Sequence, residues 1–347
     1  MDKKLIKHLE KIFPRFRDLS IKYTRQRVSN LKKCTLAKNK KLIKLTSYPT
    51  IVTIEPTNYC TLKCALCRVG KGVLKRPKNF IDFKLYKKIV DEVAPHIFYI
   101  QLHHGGEPLL HPKIAQLISY AHKKGLGTLL SSNMNVLPDN PETLIKSGLD
   151  LLIVSLDGAT KETYEKYRIG GDFNKVINNI KELIELKRKF GRRKPIIKIQ
   201  FIIMSHNESE INVIQNIAKK VMVNEVIYKT VYLCDDTEKQ FLPKDKRYSC
   251  YSGRKVKGIL ERIEPINNWC DALWDEGIIC SDGSVSLCCR DYDAEFNLGN
   301  LNKSKFIDIW NGRKYQSLRK QIMENKMKIK QCRNCPGTRV KTFIKIN

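Results

Sequence analysis

Three thiols within eight residues, Cys60-Thr61-Leu62-Lys63-Cys64-Ala65-Leu66-Cys67, constrain this chain more than any other stretch. Immediately before them Ile51-Val52-Thr53-Ile54-Glu55 reads as a buried strand, and Pro56-Thr57-Asn58 ends it. The thiols therefore sit on a loop leaving the carboxyl end of a first strand. A loop this short can close around one small object and supply three thiolates to it. A single tetrahedral zinc ion calls for a fourth protein ligand, and none lies nearby in sequence. A cubane [4Fe–4S] cluster held by three cysteines instead keeps one iron open for another molecule.

Composition sets the surroundings of that loop. A chain of 347 residues can bury a sizeable core, and its 42% hydrophobic share includes no apolar run of membrane-spanning length. It opens Met1-Asp2-Lys3-Lys4 without an apolar stretch of signal-peptide type, so the expectation is a cytoplasmic protein. Twelve cysteines in that setting imply metal or redox chemistry rather than a disulfide framework. The net charge of +30, from 65 basic and 35 acidic residues, favours an anionic partner or reflects a lysine-rich proteome. Residues 1–50 form a basic arm, with 15 Lys and Arg against three acidic residues, a local net of +12. Within it Leu5, Ile6, Leu9, Ile12 and Phe13 recur at helical spacing. That stripe fits peripheral contact with an anionic surface, or packing on the main domain.

From Thr53 to about Val231 strands and helices alternate. Further strands are expected at 97–103, 127–132, 151–155, 196–203 and 225–231, with helices at 83–93, 113–124, 141–147, 173–189 and 208–221. Six strands with intervening helices imply an α/β fold, a parallel sheet curled into a partial barrel. Its reactive site belongs at the carboxyl ends of the strands, beside the cysteine loop. After the second strand comes His104-Gly105-Gly106-Glu107-Pro108, where two glycines let backbone approach a ligand closely.

The cysteine spacing followed by Gly105-Gly106-Glu107-Pro108 resembles the radical S-adenosylmethionine (SAM) enzymes. The resemblance implies that Cys60, Cys64 and Cys67 hold a [4Fe–4S] cluster whose free iron binds the amino and carboxylate groups of SAM. It also implies that the backbone of the Gly-Gly-Glu-Pro motif holds the SAM amino group. Ser131-Ser132-Asn133 then offers short polar groups, Ser132 and Asn133 among them, for ribose hydroxyls or the methionyl carboxylate. In Ser155-Leu156-Asp157-Gly158, Ser155 and Asp157 share one side. Arg168, ending Tyr164-Glu165-Lys166-Tyr167-Arg168, is the candidate carboxylate contact; otherwise it caps a helix. Gln200, polar in an apolar strand, is expected at the barrel mouth, where its amide can be satisfied. His103 and His104 either line the cavity or pack against backbone.

Residues 233–268 break the rhythm and read as a linker, and Cys234 and Cys250 there as ordinary thiols. From 269 to 347 a second constellation follows. Ser281-Asp282-Gly283 is a tight turn between two short strands, and Gly283 precedes Cys288 by a four-residue gap. Cys270 and Cys332-Arg333-Asn334-Cys335 complete a set of four thiols with Cys288. Strand alternation lets only one of Cys288 and Cys289 join it, and the Gly-x4-Cys spacing favours Cys288. Four cysteines with one Cys-x-x-Cys also describe a zinc ribbon. The layout is similar to the SPASM/twitch extension of radical SAM enzymes, which favours iron–sulfur. A full SPASM module carries further cysteines after this point; here Lys341 stands in the first such place, so one auxiliary [4Fe–4S] cluster is expected.

Together these readings give a partial (β/α)6 TIM-like barrel at 51–232 with a small C-terminal α+β iron–sulfur domain. The resemblance implies reductive cleavage of SAM to a 5′-deoxyadenosyl radical that abstracts a hydrogen atom. Net oxidation or modification of a peptide or small molecule follows, with an external one-electron reductant of ferredoxin or flavodoxin type. The alternatives are a SAM-dependent group transferase, or a scaffold that binds an anionic partner through the basic arm. Nucleic-acid binding rests on charge alone. No residue stands out as a general base.

Overall fold

The computed structural model describes residues 17–233, 236–256, 259–265, 267–333 and 335. The amphipathic stripe from Leu5 to Phe13, Cys234 and Lys341 lie outside them. Helix α1 (Arg25–Asn39) comes first. Six strands follow and pair in chain order, all parallel: β1 (Ile51–Ile54), β2 (Tyr99–Leu102), β3 (Gly127–Ser132), β4 (Leu151–Ser155), β5 (Ile196–Ile203) and β6 (Glu225–Thr230). Between them run α2 (Phe83–Val93), α3 (Ile114–Lys123), α4 (Pro141–Lys146), α5 (Lys161–Tyr167), α6 (Phe173–Lys189) and α7 (Ile211–Lys220). The α/β partial barrel expected from the sequence is the fold observed.

Strand alternation makes the barrel two-sided. In β5 the residues Ile197, Ile199, Phe201 and Ile203 are buried beneath the helices, while Lys198, Gln200 and Ile202 form the half-buried inner row. Register carries that inner row across the sheet, with Ser155 opposite Gln200 and Ile202 opposite Lys229. The amino-terminal end of the lumen is closed from below. Leu19, Val28 and Leu31 pack there against Tyr99, Leu129, Leu151 and Ile153. Ligand access is thereby left to the opposite end, where the cysteine loop emerges.

The segment read as a linker is more structured than its composition implies. It contains a hairpin of β7 (Tyr251–Val256) and β8 (Ile259–Arg262), antiparallel and with a register shift. Cys250, Tyr251 and Leu260 are buried there with Leu62, Cys64 and Tyr167, so the hairpin is anchored on the cysteine loop.

Helix α8 (Ala272–Asp275) then leads into β9 (Glu276–Ile279), which turns at Gly283 into the antiparallel β10 (Val285–Ser286). The hairpin does not form a sheet of its own. Strand β9 pairs in parallel with β1 and extends the barrel sheet to eight strands. β1 would otherwise present an unpaired edge on that side, and β9 covers it. α9 (Phe306–Trp310) and α10 (Arg313–Asn325) pack behind the hairpin. Among the described residues no helix is long and apolar enough to cross a membrane.

Candidate functional site

The cysteine loop is held from three directions. The Asn58 side chain bonds Pro77 O (2.9 Å) and Asn79 N (2.7 Å), which fixes the exit from β1. Backbone N–H groups of Lys63 and Ala65 donate to the carbonyls of Ile169 and Tyr167 at 2.8 and 3.2 Å, tying the loop to the end of α5. The chain then folds back over it at Gly70, where a Cβ would lie 2.6 Å from Cys64 N. Burial pushes the Cys60 thiol up to about 11, with Glu107, Cys64 and Cys67 adding to the rise against one N–H from Leu62. Cys64 is raised by burial as well, opposed by Arg168. Cys60 and Cys64, which shed protons poorly on their own, are relieved by a cationic iron centre, and the set of three sulfur donors with Cys67 suits one.

The glycine turn after β2 lies against this loop. Gly106 has φ +67°, and a Cβ there would lie 2.5 Å from the carbonyl oxygens of both Thr57 and Tyr59. Only glycine allows that approach. Glu107 N donates to Tyr59 O at 2.6 Å. The Glu107 carboxylate is buried and turned to the end of β3, accepting from Ser132 Oγ and Asn133 N (2.7 Å each) and from Leu109 N (3.0 Å). Burial raises its pKa against those three bonds. Asn133 in turn points its amide at Cys60 Sγ, 3.7 Å away.

Asp157 is fully buried. It accepts from Ile202 N at 2.7 Å, from Arg168 Nε at 2.8 Å and from Arg168 Nη2. Arg168 caps α5 through its backbone N–H and also aims Nη1 at Cys64 Sγ, 3.7 Å away. It thus closes the helix, as one of the two sequence readings had it, and its guanidinium lies beside the cysteine loop. Ser155 and Gln200 sit side by side on the inner row. Gly105, Gly106 and Glu107 follow β2, Ser132 and Asn133 end β3, Ser155 and Asp157 end β4, Gln200 lies within β5 opposite Ser155, and Arg168 joins them from the end of α5 through Asp157.

Sequence reasoning missed a centre at the end of β1. Glu55, fully buried, accepts from Arg76 Nη2 (2.9 and 3.0 Å), Gly105 N (3.0 Å), Ser281 N (3.1 Å) and Ser281 Oγ (2.9 Å). Burial pushes its pKa up, but His104, Arg76 and Ser281 outweigh that and hold it below the ordinary carboxylate value. Arg76 Nε donates to Tyr292 O at 2.7 Å, and Tyr292 stacks on His104 with 4.9 Å between centroids. Asp293 accepts from Lys75 N, Arg76 N and Arg68 Nη2. A charged residue ending a buried apolar strand was the available signal.

The C-terminal thiols converge on one another beside the same sheet. Cys332 feels the charges of Cys335 and Cys270, and Cys288 those of Cys289, Cys335 and Cys270. Burial is the largest cause in both, pushing Cys332 up to about 12 and Cys288 well above an ordinary thiol. Cys289, more exposed than Cys288, stands close enough to Cys335 and Cys270 to feel them too. Cys270 and Cys335 thus lie within electrostatic reach of both Cys288 and Cys332, with Cys289 beside them, and the donor chemistry suits an iron–sulfur cluster, although among the described residues no three His, Cys, Asp or Glu side chains stand at single-ion spacing.

Comparison with known proteins agrees with this geometry. Residues 54–215 match the radical SAM superfamily, and residues 270–336 match SPASM, an iron–sulfur cluster-binding domain. The chain is 33% identical over 144 residues to an AdoMet-dependent heme synthase of Methanosarcina barkeri, covering 41% of each chain. It is 30% identical over 137 residues to a mycofactocin maturase of Mycobacterium tuberculosis, covering 39% of this chain and 34% of that one. It thus spans less than half the length of either relative. Streptococcus suis SuiB shares the fold at a TM-score of 0.62 and 16% identity, over 92% of this chain and 78% of that one. Residues 54–215 thus form a radical SAM domain and residues 270–336 a SPASM domain. The cofactors of these domains are a [4Fe–4S] cluster with SAM and auxiliary iron–sulfur.

Proposed function

We propose that this chain oxidises or otherwise modifies a peptide by hydrogen-atom abstraction. In this reading Cys60, Cys64 and Cys67 hold the SAM-binding cluster, and Cys270, Cys288, Cys332 and Cys335 hold one auxiliary [4Fe–4S] cluster. When bound, the first cluster and SAM supply a 5′-deoxyadenosyl radical that removes a hydrogen atom from substrate carbon. The chain's residues bind and orient. Gly105 and Gly106 bring backbone to the SAM amino group, and Arg168, anchored by Asp157, extends an N–H edge towards the mouth. Ser132, Asn133, Ser155 and Gln200 offer polar contacts around it.

The observation that carries the reading is that one sheet joins the two cysteine-bearing parts of the chain. β9 is bonded in parallel to β1, so the domain that carries the second thiol set is fixed to the strand from which the first cysteine loop emerges. Substrate oxidation then balances. One electron leaves the carbon with the hydrogen atom, a second passes to the auxiliary cluster, and a proton leaves to solvent. A peptide is supported by SuiB, which shares the fold and is known bound to precursor peptide SuiA, and by the mycofactocin maturase; BtrN, which also shares the fold, is known with AdoMet and 2-DOIA, and a small molecule is the alternative. A ferredoxin- or flavodoxin-type protein in the cytoplasm is the expected electron donor.

Anaerobic reconstitution tests the reading. Wild-type protein should hold about eight irons per chain, and the C60A/C64A/C67A variant about four. Reduced wild type with SAM should release 5′-deoxyadenosine, and the triple variant none. Stoichiometric zinc with about four irons in the wild type would overturn the C-terminal assignment. S-adenosylhomocysteine as main product would replace hydrogen abstraction by group transfer.

A further inference from the structure

Arg290 reaches the C-terminal thiol set through its side chain, whose Nε donates to Cys335 Sγ at 3.2 Å. The residue thereby ties the segment after β10, which carries Cys288, to a sulfur near the end of the described chain. The guanidinium is fixed on its other side by Tyr232, lying 3.1 Å from the ring centroid. Tyr232 follows β6 closely, so the barrel wall holds the cation in place. Among the described residues Arg290 forms no ion pair with a carboxylate.

We propose that Arg290 is a positioning residue that sets the reduction potential of the auxiliary cluster, making it an electron acceptor. This rests on the assignment of that cluster to Cys270, Cys288, Cys332 and Cys335. One-electron reduction adds one negative charge to a cluster already surrounded by thiolates. A fixed guanidinium donating to a ligating sulfur offsets that charge, and hydrogen bonds to sulfur and local charge are the levers by which a protein moves such potentials. The planar fork of arginine, stacked on an aromatic face, supplies the direction that a lysine ammonium lacks. Other cations nearby are spent differently. Arg262 Nη1 donates to the Cys335 carbonyl and Lys326 Nζ to the Trp269 carbonyl, neither to a sulfur.

The test is a potentiometric titration of the full chain in the C60A/C64A/C67A background, where only the auxiliary cluster remains. Arg290→Gln should lower the midpoint while iron stays near four per chain. Arg290→Lys, which keeps the charge and loses the directed N–H, should fall between the two. Arg247→Gln, an exposed charge elsewhere, should leave the midpoint unchanged. An unchanged midpoint in a fully loaded R290Q overturns the inference. So does loss of iron in R290Q accompanied by an unchanged midpoint in R290K, since Arg290 would then serve assembly alone. Failure of the parent triple variant to hold any cluster is a different result, and overturns the cluster assignment itself.

Discussion

Glu55 and Ser281 stand 226 residues apart in sequence, yet one carboxylate oxygen of Glu55 accepts both the backbone N–H and the hydroxyl of Ser281. The other oxygen holds Gly105 N at 3.0 Å. A single buried carboxylate therefore joins the glycine turn beside the cysteine loop to the hairpin that leads to the second thiol set. The two halves of the proposed chemistry share a structural member that no motif announces.

Glu55→Ala should be the most damaging single change outside the cysteines. It leaves the buried Arg76 guanidinium with only the more distant Asp282 carboxylate, 3.7 Å away, and frees three donors, and breaking a buried pair costs about 3–5 kcal/mol. Denaturant unfolding would show it. Replacing Glu55 and Arg76 together with apolar residues should cost less than the sum of the two single changes. Additive losses would mean that the two groups act separately.

Acid should loosen the same centre. Glu55 is held below its ordinary value in the fold, so its contribution is complete above the unfolded pKa of about 4.3 and disappears as pH falls through the lower folded value. Burial is the largest cause lowering His104, with Arg76 adding to it against Glu55. The unfolded chain therefore takes up a proton below about pH 6.5 that the folded chain refuses, and stability falls with pH there too. Unfolding free energy measured between pH 7.5 and 5 should decline. His104→Phe, which keeps a ring against Tyr292, should flatten the decline, and an equal slope in both proteins would exclude His104 as its source.

Gly106→Ala tests the turn directly. The added methyl group must displace two carbonyl oxygens 2.5 Å away in a backbone conformation that alanine resists. The strain is about 1–3 kcal/mol. SAM affinity should drop about tenfold or more, equivalent to about 1.4 kcal/mol, by equilibrium binding to the reconstituted protein. Unaltered affinity would remove the turn from the SAM site.

The regular parts of this molecule were legible because each follows from local pattern. β3, β4, β5, α2 and α6 run between the residues that hydrophobic periodicity marks, and the Asp282-Gly283 turn forms where its chemistry demands φ above zero. Contacts set by distant residues were hidden. β9 looked like half of an isolated hairpin because nothing in its own sequence says that β1 offers it an edge. Arg290 read as one more basic residue among 65, and only Cys335, 45 positions away, gives it a role. Helix α1 was obscured differently: buried polar residues, Arg27 and Asn30, interrupt its apolar stripe.

Arg27 also limits what the basic arm's charge can mean. Its side chain is buried and donates to four backbone carbonyls: Ala94 O through Nε and Nη2 (3.0 and 2.9 Å), Lys124 O (2.9 Å), and Lys22 O and Gly125 O (2.5 Å each). Burial lowers the guanidinium to about 10, which leaves it charged at neutral pH. This cation holds α1 against the end of α2 and the turn before β3, beneath the lumen plug of Leu19, Val28 and Leu31. Arg27→Met should therefore cost about 3 kcal/mol or more, since the carbonyls lose a charged donor and stay buried. Deleting residues 1–33 should destabilise further and shed iron, because it removes the plug as well. Binding to anionic vesicles offers the contrasting readout. If the arm's exposed lysines and arginines contact an anionic surface, Arg27→Met should leave that binding intact and equally sensitive to salt. A change in vesicle binding without a change in stability would place Arg27 on the surface and undo its role as the anchor of α1.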